Sequence, residues 1–134
     1  SKELVRLAPN LSGELEADSK TMRTLASKTP HVEVKVACLM SLARRRMDVL
    51  QDVDDERLRK ESRELLQQIV RDHAAVEYFR DPAGQTAEVW LRVLESLRVG
   101  LPAPELKGKD LDGVEFKLSD YRGKVVLLDF WGHW

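Results

Sequence analysis

The chain has 134 residues, 34% of them charged, and its 22 Lys and Arg against 23 Asp and Glu leave a formal net charge of -1. This length is enough to bury a core, as one domain or as two unequal units, and the near-neutral balance excludes the strong basic field that holds nucleic acid or an anionic membrane surface. No apolar run approaches the roughly 20 residues that cross a bilayer, the opening SKELVRLAPN lacks the apolar centre of a secretory signal, and the single cysteine, Cys38, excludes an internal disulfide and any C-x-x-C pair within these residues.

Residues 11 to 29 place Leu11, Leu15, Met22, Leu25 and Ala26 at spacings of three, four and seven, the stripe of an amphipathic helix that Pro30 ends. The next helix has the cleanest pattern, with Val32, Val36, Leu39, Met40, Ala43, Met47 and Leu50 on one face. Within it Cys38 reads as a buried, inert thiol. Arg44-Arg45-Arg46 reads as a solvated face and not a phosphate contact, because consecutive helical residues diverge by about 100°. Asp52-Val53-Asp54-Asp55-Glu56 offers capping oxygens and negative charge to the start of a third helix. That helix runs through Leu58, Ser62, Leu65, Leu66 and Ile69 and fades near His73, with Val76, Tyr78 and Phe79 as an apolar tail. Asp81-Pro82-Ala83-Gly84 then breaks the chain. A fourth helix, from about Thr86 to Arg98, gathers Ala87, Trp90, Leu91, Leu94 and Leu97, with Trp90 as core anchor and Gly100 placed for a left-handed cap. Four such helices joined by short breaks predict a small antiparallel bundle or stacked helical pairs over residues 1–100.

At Gly100-Leu101-Pro102-Ala103-Pro104 the two prolines remove backbone donors and push their predecessors out of helical conformation, which marks a domain boundary. Asp110-Leu111-Asp112-Gly113 reads as a turn, and so do Lys107-Gly108-Lys109 and Ser119-Asp120-Tyr121-Arg122-Gly123, the last as a turn or a single helical turn. Val114 to Leu118 alternates as a half-buried strand does. Val125 to Trp131 is a nearly continuous apolar run, the composition of a strand covered on both faces.

Leu118-Ser119-Asp120-Tyr121-Arg122-Gly123-Lys124 and Asp129-Phe130-Trp131, with the upstream Pro102, Pro104 and D-L-D-G, resemble the thioredoxin-like thiol-disulfide oxidoreductases of the TlpA type, within the wider group that includes the peroxiredoxins. The resemblance covers about a quarter of the chain. For residues 101–134 it implies the first strands of a thioredoxin-like α/β domain that stops just before the C-x-x-C motif, which after the helical bundle read in residues 1–100 makes a mainly α chain. It also implies an oxidoreductase parent with no metal or organic cofactor, acting on protein disulfide or dithiol partners in a periplasmic or membrane-anchored setting. Without the cysteine pair, residues 1–134 are expected to be inactive.

Two positions carry the expected chemistry. A carboxylate enclosed in V-V-L-L-D-F-W loses hydration, which raises its pKa, and by resemblance Asp129 accepts the proton of the buried cysteine. An acid at a fraying strand end, or capping a turn, is the plainer reading of the same residue. Trp134 by resemblance precedes the first cysteine and covers the active-site surface, Trp131 packs in the core, and His133 is an exposed, variable position. The cysteines belong after this strand because the next helix begins there and its free N–H groups stabilise a thiolate. His31, His73 and His133 are too scattered for a metal site, and no phosphate-loop pattern is present. Two other readings are a peroxiredoxin-type peroxide reductase, against which Trp131 and Trp134 count, and a non-catalytic helical module that binds a partner protein. A strand without sheet neighbours leaves backbone groups unpaired, so Val125 to Trp131 is expected to pair with Val114 to Leu118, to pack on the helices, or to self-associate with another copy.

Overall fold

Helix boundaries in the computed structural model, which describes residues 15–132, follow the local chemistry of the chain. Helix α1 (Leu15–Lys28) ends just before Pro30, and α2 (Val32–Val49) begins at once, with His31 in extended conformation before it. Leu11, the first residue of the predicted stripe, lies outside the described residues. Helix α3 (Glu56–Asp72) starts at Asp55, whose carboxylate accepts from the backbone N–H groups of Arg57 at 2.8 Å and Leu58 at 3.1 Å. Two orphan donors of the first turn are thereby satisfied.

A two-residue hairpin comes next, in which β1 (Glu77–Tyr78) pairs antiparallel with β2 (Asp81–Pro82). Its turn holds Phe79 at φ +60°, a left-handed conformation unusual for a bulky side chain. Helix α4 (Ala83–Ser96) begins directly after Pro82, three residues before the predicted start at Thr86. Pro82 interrupts the preceding segment yet suits the start of α4, since its missing N–H would be an orphan at a helix start anyway. Gly84 is buried where the chain turns into α4, and a Cβ there would sit 2.7 Å from the Cβ of Ala74. Gly100 does adopt a left-handed φ, yet α4 has already ended with Leu97 as its cap, so the predicted glycine cap is not formed.

The chain is mainly α, with four α-helices and only short two-stranded antiparallel sheets among the described residues. It divides between Arg98 and Val99 into two compact units. In the first, each helix packs on the next, and α2 also touches β1 and α4. The core is Met22, Val34, Val36, Met40, Leu42, Leu66, Ile69, Ala83 and Ala87 with their neighbours, and Trp90 packs against it while half-buried. The predicted single apolar face of α2 is too narrow. Val34 and every residue from Val36 to Ala43 are buried, including Ala37 and Ser41 outside the predicted stripe and Cys38, whose burial was expected. A helix covered on every side through its middle turns is a central one.

Charge is buried with partners. Arg46, expected in a solvated face, is 5% exposed; its Nε donates to Glu61 on α3 at 2.8 Å and its Nη1 to the Leu42 carbonyl at 2.9 Å. Arg23 on α1 donates to the same Glu61 oxygen at 3.1 Å, so one carboxylate ties three helices. The Arg46 guanidinium, first through its hydrogen bond, holds the Glu61 carboxyl below the ordinary glutamate range, against a smaller opposing effect of burial. Arg59, also buried, pairs with Asp54 and Glu56. Arg44 remains exposed, bonded to Asp48 and lying 5.7 Å from the centre of the Trp90 ring.

Candidate functional site

The second unit is built on a hairpin in which β3 (Lys107–Lys109) pairs antiparallel with β4 (Glu115–Lys117), Gly108 opposite Phe116. Lys107-Gly108-Lys109, predicted as a turn, is thus a strand. The reason is cross-strand cover: the Phe116 ring lies so close over Gly108 that a Cβ there would stand 3.0 Å from its Cζ. The predicted turn at Asp110-Leu111-Asp112-Gly113 does close the hairpin. The Asp110 carboxylate accepts from the N–H groups of Asp112 at 3.0 Å and Val114 at 2.9 Å, and Gly113 takes φ +80°, which a side chain would resist. Below β4 the chain enters a 3₁₀ turn, Leu118–Tyr121, capped by Asp120, whose carboxylate accepts from the Lys117 N–H at 2.9 Å. Lys124 then donates its N–H to the Tyr121 carbonyl at 3.1 Å.

The segment after Lys124 differs from its expectation. Residues 125–132 form no regular strand, and Val125, Leu127, Phe130 and Trp131 are strongly exposed. Strand β4 pairs with β3 and not with this run. A strand exists only through its ladder, and nothing among the described residues of this unit supplies a second one beside residues 125–131. Asp129 is likewise exposed, so the enclosure that was expected to desolvate it is not formed here, and Trp131 does not pack in a core. His133 and Trp134 lie outside the described residues. The sole thiol, Cys38, is fully buried in α2, and burial pushes its pKa up. It has the environment of an inert thiol, since a thiolate there would be poorly solvated. Among the described residues no group of three or more His, Cys, Asp or Glu is arranged to hold a metal ion, and no helix is long and apolar enough to cross a membrane.

Three comparisons bear on this geometry. A stretch of 39 residues is 51% identical to the thiol-disulfide oxidoreductase ResA of Geobacillus thermodenitrificans, covering 29% of this chain and 22% of that protein. The protein of the same name from Geobacillus kaustophilus is 54% identical over 39 residues, with the same coverage. That from Bacillus subtilis is 45% identical over 40 residues, 30% of this chain and 22% of its own length. The chain therefore spans about a fifth of the length of these curated relatives. No family model matches the chain, and no solved structure does. Part of the chain, about 30% of it, is related to thiol-disulfide oxidoreductases.

Glu105 carries no marker in the sequence. Its carboxylate accepts from the Ser119 N–H at 3.0 Å across 14 positions of sequence. Nothing in local periodicity marks such a partner, because residue 105 lies in an irregular stretch after the prolines. Asp110 and Asp120 were legible as turn residues, each acting within a few positions of itself.

Proposed function

We propose that this chain is the amino-terminal portion of a thioredoxin-like thiol-disulfide oxidoreductase of the TlpA type, with a helical domain in residues 1–100 and the opening of a redox domain in residues 101–134. The observation that carries this reading is the local likeness to the ResA proteins, which at 39 to 40 residues is about as long as the second unit. In this reading the β3–β4 hairpin and its 3₁₀ turn lead the apolar run toward a C-x-x-C pair beyond Trp134. Asp129 takes the proton of the buried cysteine, and Trp134 shields the thiol. Exchange proceeds when a thiolate attacks a protein disulfide, forming a mixed disulfide and releasing one thiolate; the second cysteine, deprotonated by Asp129, attacks that bond and releases the other. The parent needs no metal or organic cofactor for this chemistry, and its partners are protein disulfides or dithiols.

The exposed run is consistent with such a lead-in. Val125 to Trp131 becomes a central strand only when further strands flank it, and Asp129 loses its water only then. The test is to read the coding sequence past Trp134 and express the protein it encodes. A C-x-x-C pair directly after Trp134, and insulin disulfide reduction that is abolished by replacing either cysteine and is absent from residues 1–134, is the expected result. A stop codon at that point, or a continuation without cysteine, refutes the assignment.

A second reading concerns residues 1–100 alone, as a non-catalytic module that binds a partner protein. Its support is the outer side of α4, where Val89, Val93 and Leu97 recur every fourth residue and are exposed. Failure of immobilised residues 1–100 to retain any specific protein counts against it.

A further inference from the structure

The β3–β4 hairpin is a weak unit by its own resources. It has two short strands, and its residues are exposed except for partial cover at Gly108. Isolated two-stranded hairpins are marginal in water. The register adds a repulsion, since Lys107 faces Lys117 directly across the ladder, whereas Lys109 faces Glu115 and bonds to it at 3.5 Å. The unfavourable pair sits at the open mouth of the hairpin, the end from which residues 118–131 depart. Asp110 closes only the other end.

Glu105 stands at that mouth. Its Oε1 accepts from the Ser119 N–H at 3.0 Å, and beside it the Leu118 N–H donates to the Leu106 carbonyl at 2.9 Å. These two bonds join the stretch before β3 to the turn after β4. We propose that Glu105 is a positioning residue: a carboxylate latch that closes the mouth of the hairpin and fixes the direction in which the chain leaves it toward Asp129. The chemical purpose of that direction rests on the redox reading above.

Electrostatics agrees with the geometry. The hydrogen bonds from Ser119, and then the charges of Lys117 and Lys107, hold the Glu105 carboxyl below the ordinary glutamate range. The same two lysines repel each other less with an anion beside them. The groups that face Glu105 are thus Lys107 on β3, Lys117 on β4 and Ser119 on the 3₁₀ turn, while Asp120 is engaged with the Lys117 N–H.

The test is an amide NMR titration of the 134-residue chain together with its Glu105→Gln and Glu105→Ala variants. The Ser119 amide is expected to titrate with the Glu105 carboxyl, at a midpoint below that of an ordinary glutamate. In Glu105→Gln, whose amide oxygen still accepts, this titration disappears while the shifts of residues 118–124 stay near their native positions. In Glu105→Ala those shifts move toward unstructured values. A Ser119 amide that ignores Glu105, or an Ala variant that leaves residues 118–124 unmoved, overturns the latch. Helical circular dichroism unchanged in both variants separates a local effect from misfolding. In the parent protein, Glu105→Ala lowers kcat/KM for disulfide reduction and Glu105→Gln recovers most of it. If no cysteine lies beyond Trp134, it is the redox reading that fails, and the amide titration still decides the latch.

Discussion

The two units of this chain handle the same problem, covering apolar side chains, with opposite results. In the first, α2 is buried on every side from Val36 to Ala43, and its buried arginine, Arg46, is paired. In the second, leucines, valines and aromatics of comparable hydrophobicity remain exposed from Val125 to Trp131. The difference lies in the backbone. A helix satisfies its N–H and C=O groups within itself, so it needs only side-chain neighbours, and three other helices in the same unit provide them. A strand needs a neighbouring strand for its hydrogen bonds, and among the described residues none pairs with this run. Apolar composition marks where cover is required. It does not say that the cover is present.

The contrast is broken most severely from the helical side. Leu66→Ala removes a fully buried side chain between α3 and its neighbours and is expected to destabilise the first unit by about 2–5 kcal/mol. Thermal unfolding followed by circular dichroism measures it, and the hairpin resonances of residues 107–117 should be unaffected below the midpoint. A loss of those resonances in step with the helices would show that the units are not independent.

A smaller effect is expected from Glu61→Ala, which leaves the buried Arg46 without its carboxylate and frees α1 at Arg23. The loss is roughly 1–3 kcal/mol, read from denaturant midpoints. Its pH dependence has a definite sign. The Glu61 carboxyl is held below its ordinary value in the folded chain, so its contribution is complete above the unfolded glutamate pKa of about 4.3. It declines below that and is gone once the pH has fallen through the lowered native value. The Ala variant should lose this part of the acid sensitivity.

The gentlest probe acts on the hairpin. Gly108→Ala places a Cβ 3.0 Å from the Phe116 Cζ, so the ring must give by a few tenths of an ångström. Phe116 resonances and the Lys107–Lys117 and Lys109–Glu115 cross-strand contacts should change, with the helical melting midpoint unmoved. An unchanged Phe116 environment would contradict the packing described here.

Most of the helical unit was legible because its signals are local. Asp55 could be recognised as a cap from the acidic run that contains it, and Pro30 and Pro82 interrupt the segments before them wherever they occur. The burial of Cys38 was legible, but the cover on every side of α2 from Val36 to Ala43 was not, since Ala37 and Ser41 are small and leave no stripe. Arg46 was misread for a related reason: a triple arginine has the composition of a wet face, and its partner Glu61 lies 15 positions away on another helix. In the second unit the Asp110 and Asp120 turns were readable from nearby sequence, whereas the pairing of Lys107–Lys109 depends on a strand that comes later. For the candidate site, Asp129 and Trp134 were chosen by resemblance. The surroundings that would define Asp129 chemically are supplied by neighbours in space, which a linear pattern does not display.

Cys38, enclosed at the middle of α2, turns the chain into its own unfolding clock. A thiol-reactive dye can reach that sulfur only when the helices part, so the rate of modification under native conditions reports how often the first unit opens. The same burial keeps this nucleophile away from oxidants and other thiols while the unit is closed, and chains that open too readily would lose that insulation through thiol adducts.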